Sequence, residues 1–322
     1  RDPHDGVTLL DPAYATVLGE LPAFDLSDTT VGIMRQHIGA MGPPFTPSGR
    51  VRHADHTVTG PDGHGVVVRV HTPDGVTGAR PCVYAIHGGG YVMGGYEMLD
   101  RLLDGWCAEL GIVGVSVEYR LAPEHPYPAP LDDCYAGLAW VHANAATLGV
   151  DPDRIGIQGT SAGGGLAAAL ALLARDRGEI PIAFQVLECP MLDDRLHTPS
   201  SNLDRLQVWS RESNVYGWSA YLGSRYGTDD VPATAAPARA TDLAGLPPAI
   251  VCVGGADGFR DEDIAYATRL MQAGVPTELH VYPGAPHGAH IVPDAAAARQ
   301  WVRDVEEWVA RQVADRPATP GT

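Results

Sequence analysis

The sequence predicts an α/β fold, a mostly parallel but mixed central sheet flanked by helices, and three observations carry that prediction. After Pro73-Asp74-Gly75, short apolar runs rich in β-branched residues alternate with longer helical patterns; such alternation implies parallel strands covered on both faces. Before that point, Val51 to Val58 and Gly65 to His71 are extended patterns joined by Gly60-Pro61-Asp62-Gly63. Those turn residues make the opening an antiparallel hairpin. Finally, 322 residues can bury one large core without disulfides or metals.

Taken in order, residues 1–50 hold two amphipathic patterns. Leu9, Leu10, Tyr14, Val17 and Leu18 predict one helix, and Thr29 to Met41 predict a second, broken by Gly42-Pro43-Pro44. The alternating region gives strands at Cys82 to Ile86, Ile112 to Tyr119, Arg154 to Gln158, Ile182 to Glu188, Ala249 to Val253 and Thr277 to Tyr282. Helices are expected from about Asp100 to Leu110, Leu131 to Leu148, after Ser161, from Asp261 to Ala273 and from Asp294 onward. Between Asp194 and Tyr226 the alternation stops, and Trp209, Tyr216, Trp218 and Tyr221 take its place. The expected division is a helical cap segment at 1–50, a core at 51–193, a cap insertion at 194–228 and the rest of the core at 229–322. A cap would sit over the carboxyl ends of the strands, where open α/β sheets bind ligands. A surface insertion held down by its aromatics is the plainer alternative.

The net charge of -17 opposes nucleic acid and anionic membranes as partners, since both would be repelled at long range. No apolar run approaches the ~20 residues of a membrane span, and no charged-then-apolar leader opens the chain. Arg1 stands first in place of a methionine, which is compatible with a removed leader. Cys82, Cys107, Cys134, Cys189 and Cys252 form no C-x-x-C pair and lie mostly in apolar patterns. They read as buried free thiols in a reducing compartment, so the cytoplasm is expected.

The chemistry centres on Gly159-Thr160-Ser161-Ala162-Gly163, placed between a strand pattern and an alanine-rich helix pattern. A serine at such a turn must adopt a strained backbone that presents its hydroxyl, and the helix N-terminus beneath it favours negative charge. G-x-S-x-G alone is weak in a chain with 38 glycines, and a serine helix cap would also explain it. Ser161 needs a base. His287 follows the last strand pattern on a loop, with His290 as its competitor, whereas His280 is held inside the strand. Asp257, just past another strand end, is the expected partner of that base; Asp261 and Glu262 compete, but belong to the start of the next helix.

The order Ser161, Asp257, His287 fits the α/β-hydrolase arrangement and not the other serine-hydrolase orders. His87-Gly88-Gly89-Gly90 follows the strand Cys82 to Ile86, and its N–H groups with that of Ala162 could hold an oxyanion. His87 is expected to anchor the loop. A phosphate cradle is the alternative, but no Lys or Arg stands beside the run.

These residues resemble the hormone-sensitive-lipase branch of the α/β-hydrolases, the bacterial family IV carboxylesterases. The likeness rests on His87-Gly88-Gly89-Gly90, Glu118 to Pro128, Gly159 to Gly164, Asp257 to Glu262 and His287-Gly288, and spans about residue 80 to the end. It implies an α/β-hydrolase fold with a helical cap, Ser161 as nucleophile, His287 as base and Asp257 as its partner. It also implies Gly89, Gly90 and Ala162 as oxyanion donors, with Gly88 shaping the loop, and a homodimer through the last strand and helix. Tyr91, Thr160 and Trp209 are expected to face the substrate, a small-molecule ester; no cofactor and no metal are expected.

Thr160 replaces a frequent aspartate and resembles the threonine-containing subgroup, while Gly258-Phe259 replaces the more usual Pro-Leu. Segments Ala183 to Glu188 and Ala238 to Leu243 are similar to bacterial heroin esterases, which suggests acetyl esters of bulky alcohols or phenols. The expected activity is hydrolysis of short acyl esters through an acyl-enzyme. Rivals are a non-catalytic ligand-binding protein, disfavoured by the presence of His287, and a long-chain lipase, disfavoured by the four phenylalanines and the negative charge.

Overall fold

Alternating burial along the strands builds the molecule. The computed structural model describes residues 4–19, 25–38 and 45–314. Its strands are β1 (Val51–Thr59), β2 (Gly65–Pro73), β3 (Arg80–Ile86), β4 (Val113–Glu118), β5 (Val150–Thr160), β6 (Gln185–Glu188), β7 (Ala249–Gly254) and β8 (Thr277–Tyr282). They form one sheet in the order β1-β2-β4-β3-β5-β6-β7-β8. The hairpin pairs Val51 with Pro73 and Thr59 with Gly65; β2 is also antiparallel to β4, and every later pair is parallel.

Helices cover both faces: α1 (Gly6–Leu9), α2 (Pro12–Leu18), α3 (Val31–His37), α4 (Asp100–Leu110), α5 (Ala129–Ala143), α6 (Ala145–Leu148), α7 (Ala162–Arg177), α8 (Arg211–Leu222), α9 (Arg260–Gln272) and α10 (Ala296–Val313). Because side chains alternate across a strand, Cys82, Tyr84 and Ile86 of β3 pack with Leu138 of α5, Leu166 of α7 and Leu270 of α9. Val83 enters the opposite core, as do Val186 and Ile250, against Trp106 of α4 and Trp301 of α10. With both faces covered, β3 and β7 read as near-continuous apolar runs.

Two helices differ from expectation for local reasons. The first is divided, because Leu10 turns extended and Asp11 caps a new helix by accepting the Ala13 N–H, with Pro12 in its first turn. The helix expected from Leu131 to Leu148 stops at Ala143, where Asn144 donates its side-chain amide back to the Trp140 carbonyl at 2.9 Å. The break at Gly42-Pro43-Pro44 lies outside the described residues.

The chain around α8 and the segment before α3 hold each other. Ser213 Oγ accepts the Leu26 N–H at 3.0 Å, Ser210 Oγ donates to Asp25 at 2.6 Å and the Tyr216 hydroxyl donates to Asp28 at 3.1 Å. From α3, Arg35 donates to the carbonyls of Val92 and Ala122 and pairs with Glu124. Among the described residues no helix is long and apolar enough to cross a membrane.

Candidate active site

Ser161 follows β5 with φ 59° and ψ -123°, a conformation that costs an L-residue on the order of 1–3 kcal/mol. Its surroundings enforce it: the Ser161 N–H donates to Glu188 at 2.8 Å, and its carbonyl accepts from Met191 at 2.9 Å and Gly165 at 3.0 Å. The flanking glycines are obligatory, since a Cβ on Gly159 would lie 2.0 Å from the Gly163 carbonyl and one on Gly163 2.1 Å from that of Ile86. The turn therefore sets the first turn of α7 directly behind the hydroxyl.

The loops after β7 and β8 are bonded to each other. Gly255 N–H donates to Tyr282 at 2.7 Å, and Ala256 N–H donates to Ala285 at 2.9 Å. These bonds bring Asp257 and His287 together: Nδ1 donates to Asp257 Oδ2 at 2.8 Å, and Nε2 accepts from Ser161 Oγ at 2.8 Å. Asp257 Oδ1 accepts the Phe259 N–H at 2.9 Å, and the Phe259 ring meets His287 edge-on at 4.9 Å. Exposure is 7% at Ser161, 1% at Asp257 and 6% at His287, so the three groups interact largely shielded from water. Burial disfavours charge on His287, but the Asp257 carboxylate and Cys189 sulfur outweigh it and raise the imidazole well above its ordinary value.

The glycine loop after β3 lies alongside. A Cβ on Gly88 would approach Ser161 Cβ at 3.3 Å, which sets how near the loop comes to the hydroxyl. Gly89 and Gly90 have φ of 118° and 60°, and no backbone carbonyl accepts their N–H groups among the described residues. His87 is buried, stacks on Tyr119 at 4.1 Å and bonds the Gly88 carbonyl through Nδ1 at 2.8 Å. Burial pushes its imidazole down to about 4, so it is neutral near pH 7 and acts as an anchor.

The remaining expected residues fall in three settings. Trp209 covers the glycine loop: its ring lies 2.1 Å from where a Cβ on Gly90 would stand, and 6.4 Å from the His287 ring. Thr160 is half-buried, and its hydroxyl accepts from Gln158 at 3.2 Å. The Tyr91 side chain points away into the packing, stacked on Tyr221 at 4.0 Å with its hydroxyl donating to the Met191 carbonyl. His290 bonds Glu188 at 3.3 Å, and Asp261 accepts the Ser200 N–H at 2.7 Å. Glu262 departs from the expected role at a helix start: it is buried and accepts the N–H groups of Leu192 and Asp193 at 2.9 and 3.1 Å.

Sequence reasoning passed over Glu188 and Cys189. A carboxylate closing an otherwise apolar buried strand is the signal that could have found Glu188. Nothing local marks Cys189, whose importance comes only from the loops that fold onto it.

Comparison with known proteins agrees with this geometry. Residues 83–291 match the family model described as alpha/beta hydrolase fold. A carboxylesterase of Mycobacterium tuberculosis, NlhH, is 38% identical over 298 residues, covering 90% of this chain and 92% of the relative. An arylesterase of Saccharolobus solfataricus is 36% identical over 232 residues, covering 68% of this chain and 73% of the relative. Among solved structures, a bacterial heroin esterase superposes with a TM-score of 0.91 at 42% identity, covering 96% of this chain and 99% of that one. The chain belongs to the α/β-hydrolase fold family, and within it is a carboxylic ester hydrolase.

Proposed function

We propose that this chain cleaves short-chain acyl esters through an acyl-enzyme formed on Ser161. The observation that supports this best is the unbroken chain of hydroxyl, imidazole and carboxylate, with both links at 2.8 Å. With Nδ1–H committed to Asp257, Nε2 is the basic nitrogen. It takes the Ser161 proton as Oγ attacks the ester carbonyl, then returns that proton to the leaving alcohol. Water repeats the sequence, adding to the acyl carbon with its proton going to His287, and the acid leaves as Ser161 is reprotonated.

The oxyanion would be met by the N–H groups of Gly89, Gly90 and Ala162, with Gly88 shaping the loop. Losing one such donor typically costs roughly 3 kcal/mol in the transition state. Each of these steps uses side chains and backbone of the chain itself.

In this reading residues 1–50 and 194–228 form the cap, and the chain falls in the hormone-sensitive-lipase branch with Thr160 marking the threonine-containing subgroup. The indole of Trp209 fills the space beside Gly90 and keeps the acyl pocket short. The likeness to a heroin esterase and an arylesterase points to acetyl esters of bulky alcohols or phenols. All five cysteines are buried and free, which suits the cytoplasm, and Val281 of the edge strand β8 with Val302 of α10 leaves apolar surface for a homodimer.

The test is turnover of p-nitrophenyl esters from acetate to palmitate by the wild type and Ser161→Ala. Activity highest at acetate and lost in Ser161→Ala is expected. Full turnover by Ser161→Ala would end the proposal, and a maximum at palmitate would reassign the chain to lipases.

A further inference from the structure

Beside the Asp257–His287 pair lies a third group that the hydrolytic route does not use. Cys189 directly follows β6, with φ 37°, its N–H donating to the Cys252 carbonyl at 2.6 Å and Pro190 next in the chain. This constraint turns its thiol toward the loops of β7 and β8. Cys189 Sγ, an Asp257 carboxylate oxygen and a His287 ring nitrogen all lie within 4.8 Å of one another, and all three residues are buried.

We propose that Cys189, Asp257 and His287 form an inhibitory binding site for a thiophilic divalent cation of the Zn2+ or Cd2+ type. Sulfur, imidazole nitrogen and carboxylate oxygen make a donor set that suits borderline-soft cations and not Mg2+ or Ca2+. In a tetrahedral zinc site, bond lengths of about 2.0–2.3 Å leave donor atoms roughly 3–4 Å apart. The three groups reach that spacing by drawing in about 1 Å, which the side-chain torsions of Cys189 and Asp257 can supply. A fourth position is left for water or a hydroxyl.

The ring nitrogen turned to Asp257 is Nδ1, since Nε2 is bonded to Ser161. A cation taken there replaces the proton that Nδ1 gives to Asp257. That proton moves to Nε2 and the thiol proton leaves to solvent, so one proton is released per cation and Asp257 stays a carboxylate. With Nε2 protonated, His287 can no longer accept the Ser161 proton. The cation thus switches off the base without touching the nucleophile. Because the ligand must be a thiolate, binding tightens as pH rises, and because all three donors are buried, inhibition sets in slowly.

The experiment titrates CdCl2 into the wild type, Cys189→Ala and Cys189→Ser, each rate on p-nitrophenyl acetate normalised to that variant's cation-free rate. In parallel, the thiolate-to-cadmium ultraviolet band is recorded in wild type, Ser161→Ala and Cys189→Ala. Expected are bent progress curves and inhibition in wild type reversed by EDTA, and apparent affinity weaker by about 100-fold in Cys189→Ala. One equivalent of band should appear in wild type and in Ser161→Ala, and MgCl2 should have no effect. The Ser161→Ala band reads binding without turnover, so it stands apart from the hydrolytic reading. Cadmium sensitivity retained by both Cys189 variants would overturn the proposal, as would a band that survives in Cys189→Ala or never appears in wild type.

Discussion

Glu188 holds Ser161 through the backbone and braces its surroundings through the side chain. Its carbonyl accepts the Ser161 N–H at 2.8 Å; Oε1 of its carboxylate accepts from Gln158 at 2.9 Å, and Oε2 accepts from Trp301 at 2.8 Å and bonds His290 at 3.3 Å. One buried residue therefore ties the Ser161 turn to α10 and to the loop that carries His287. Burial raises the Glu188 carboxyl, and the contacts from His290, Gln158 and Trp301 outweigh it and leave it below 4.5.

Glu188→Ala should accordingly destabilise the fold by roughly 2–5 kcal/mol, because it leaves the Trp301 indole N–H buried without an acceptor and takes from Gln158 one of its two acceptors, leaving only the Thr160 hydroxyl. Glu188→Gln should cost less. Since the folded carboxyl is depressed, its contribution is present above 4.5 and lost as pH falls through the folded value. Urea unfolding of the three proteins at pH 7 and near pH 4 checks both size and direction. Equal stability of Glu188→Ala and wild type would refute the bracing role.

Trp209→Ala should open the space beside Gly90 that the indole now fills. Fold stability should fall by about 3–5 kcal/mol, as for other buried tryptophans. The ratio of kcat/KM for hexanoate over acetate esters should rise at least about tenfold, the worth of one or two methylenes admitted to an apolar pocket. An unchanged ratio in a folded variant would show that the indole is not the wall that limits acyl length.

Acid should weaken the protein through two buried histidines. His87 and His71 are pushed down to about 4 by burial, from an ordinary value of 6.5. The unfolded chain binds protons that the folded one refuses, so this stability is present above 6.5 and lost between there and about 4. The loss is on the order of 3 kcal/mol for each group. Glu262 and Asp263 act with the opposite sign: burial raises both carboxyls, and among the described residues neither Asp263 oxygen has a donor. The His87 share is therefore read as the difference in pH slope between wild type and His87→Gln, which should be flatter. Parallel slopes would contradict the assignment.

The architecture was legible because its cause is local. Alternation of apolar strands with helices, and turn residues at Gly60 to Gly63, depend on neighbours in sequence, so the hairpin and the parallel strands stand where the pattern puts them. That Ser161, Asp257 and His287 would meet was legible for a related reason: each follows a strand pattern, and parallel strands gather their carboxyl ends on one edge of the sheet. What the sequence hid depends on contacts across the fold. Nothing near Tyr91 signals that its ring stacks on Tyr221, 130 positions away. Glu262 sits where a helix cap is expected, and its use as a clamp on Leu192 and Asp193 emerges only when β6 and α9 come together.

Asp257→Asn should lower kcat by about 10³ to 10⁴-fold, because an amide facing Nδ1 favours the wrong tautomer. The pH dependence follows from the raised imidazole of His287. The base must be neutral, so kcat/KM in wild type should rise with pH through a midpoint above the ordinary 6.5. Asp257→Asn removes the carboxylate that opposes burial, and its midpoint should shift down. The same midpoint in both proteins would mean that another group governs the rate.

The most direct measurement is the mass of the enzyme quenched during turnover of p-nitrophenyl acetate, with the modified peptide sequenced. A single acetyl group on Ser161 in wild type, longer-lived in His287→Ala and absent in Ser161→Ala, is the predicted result. An acetyl group carried on another residue, or Ser161→Ala turning over at the wild-type rate with no covalent species, would contradict the account.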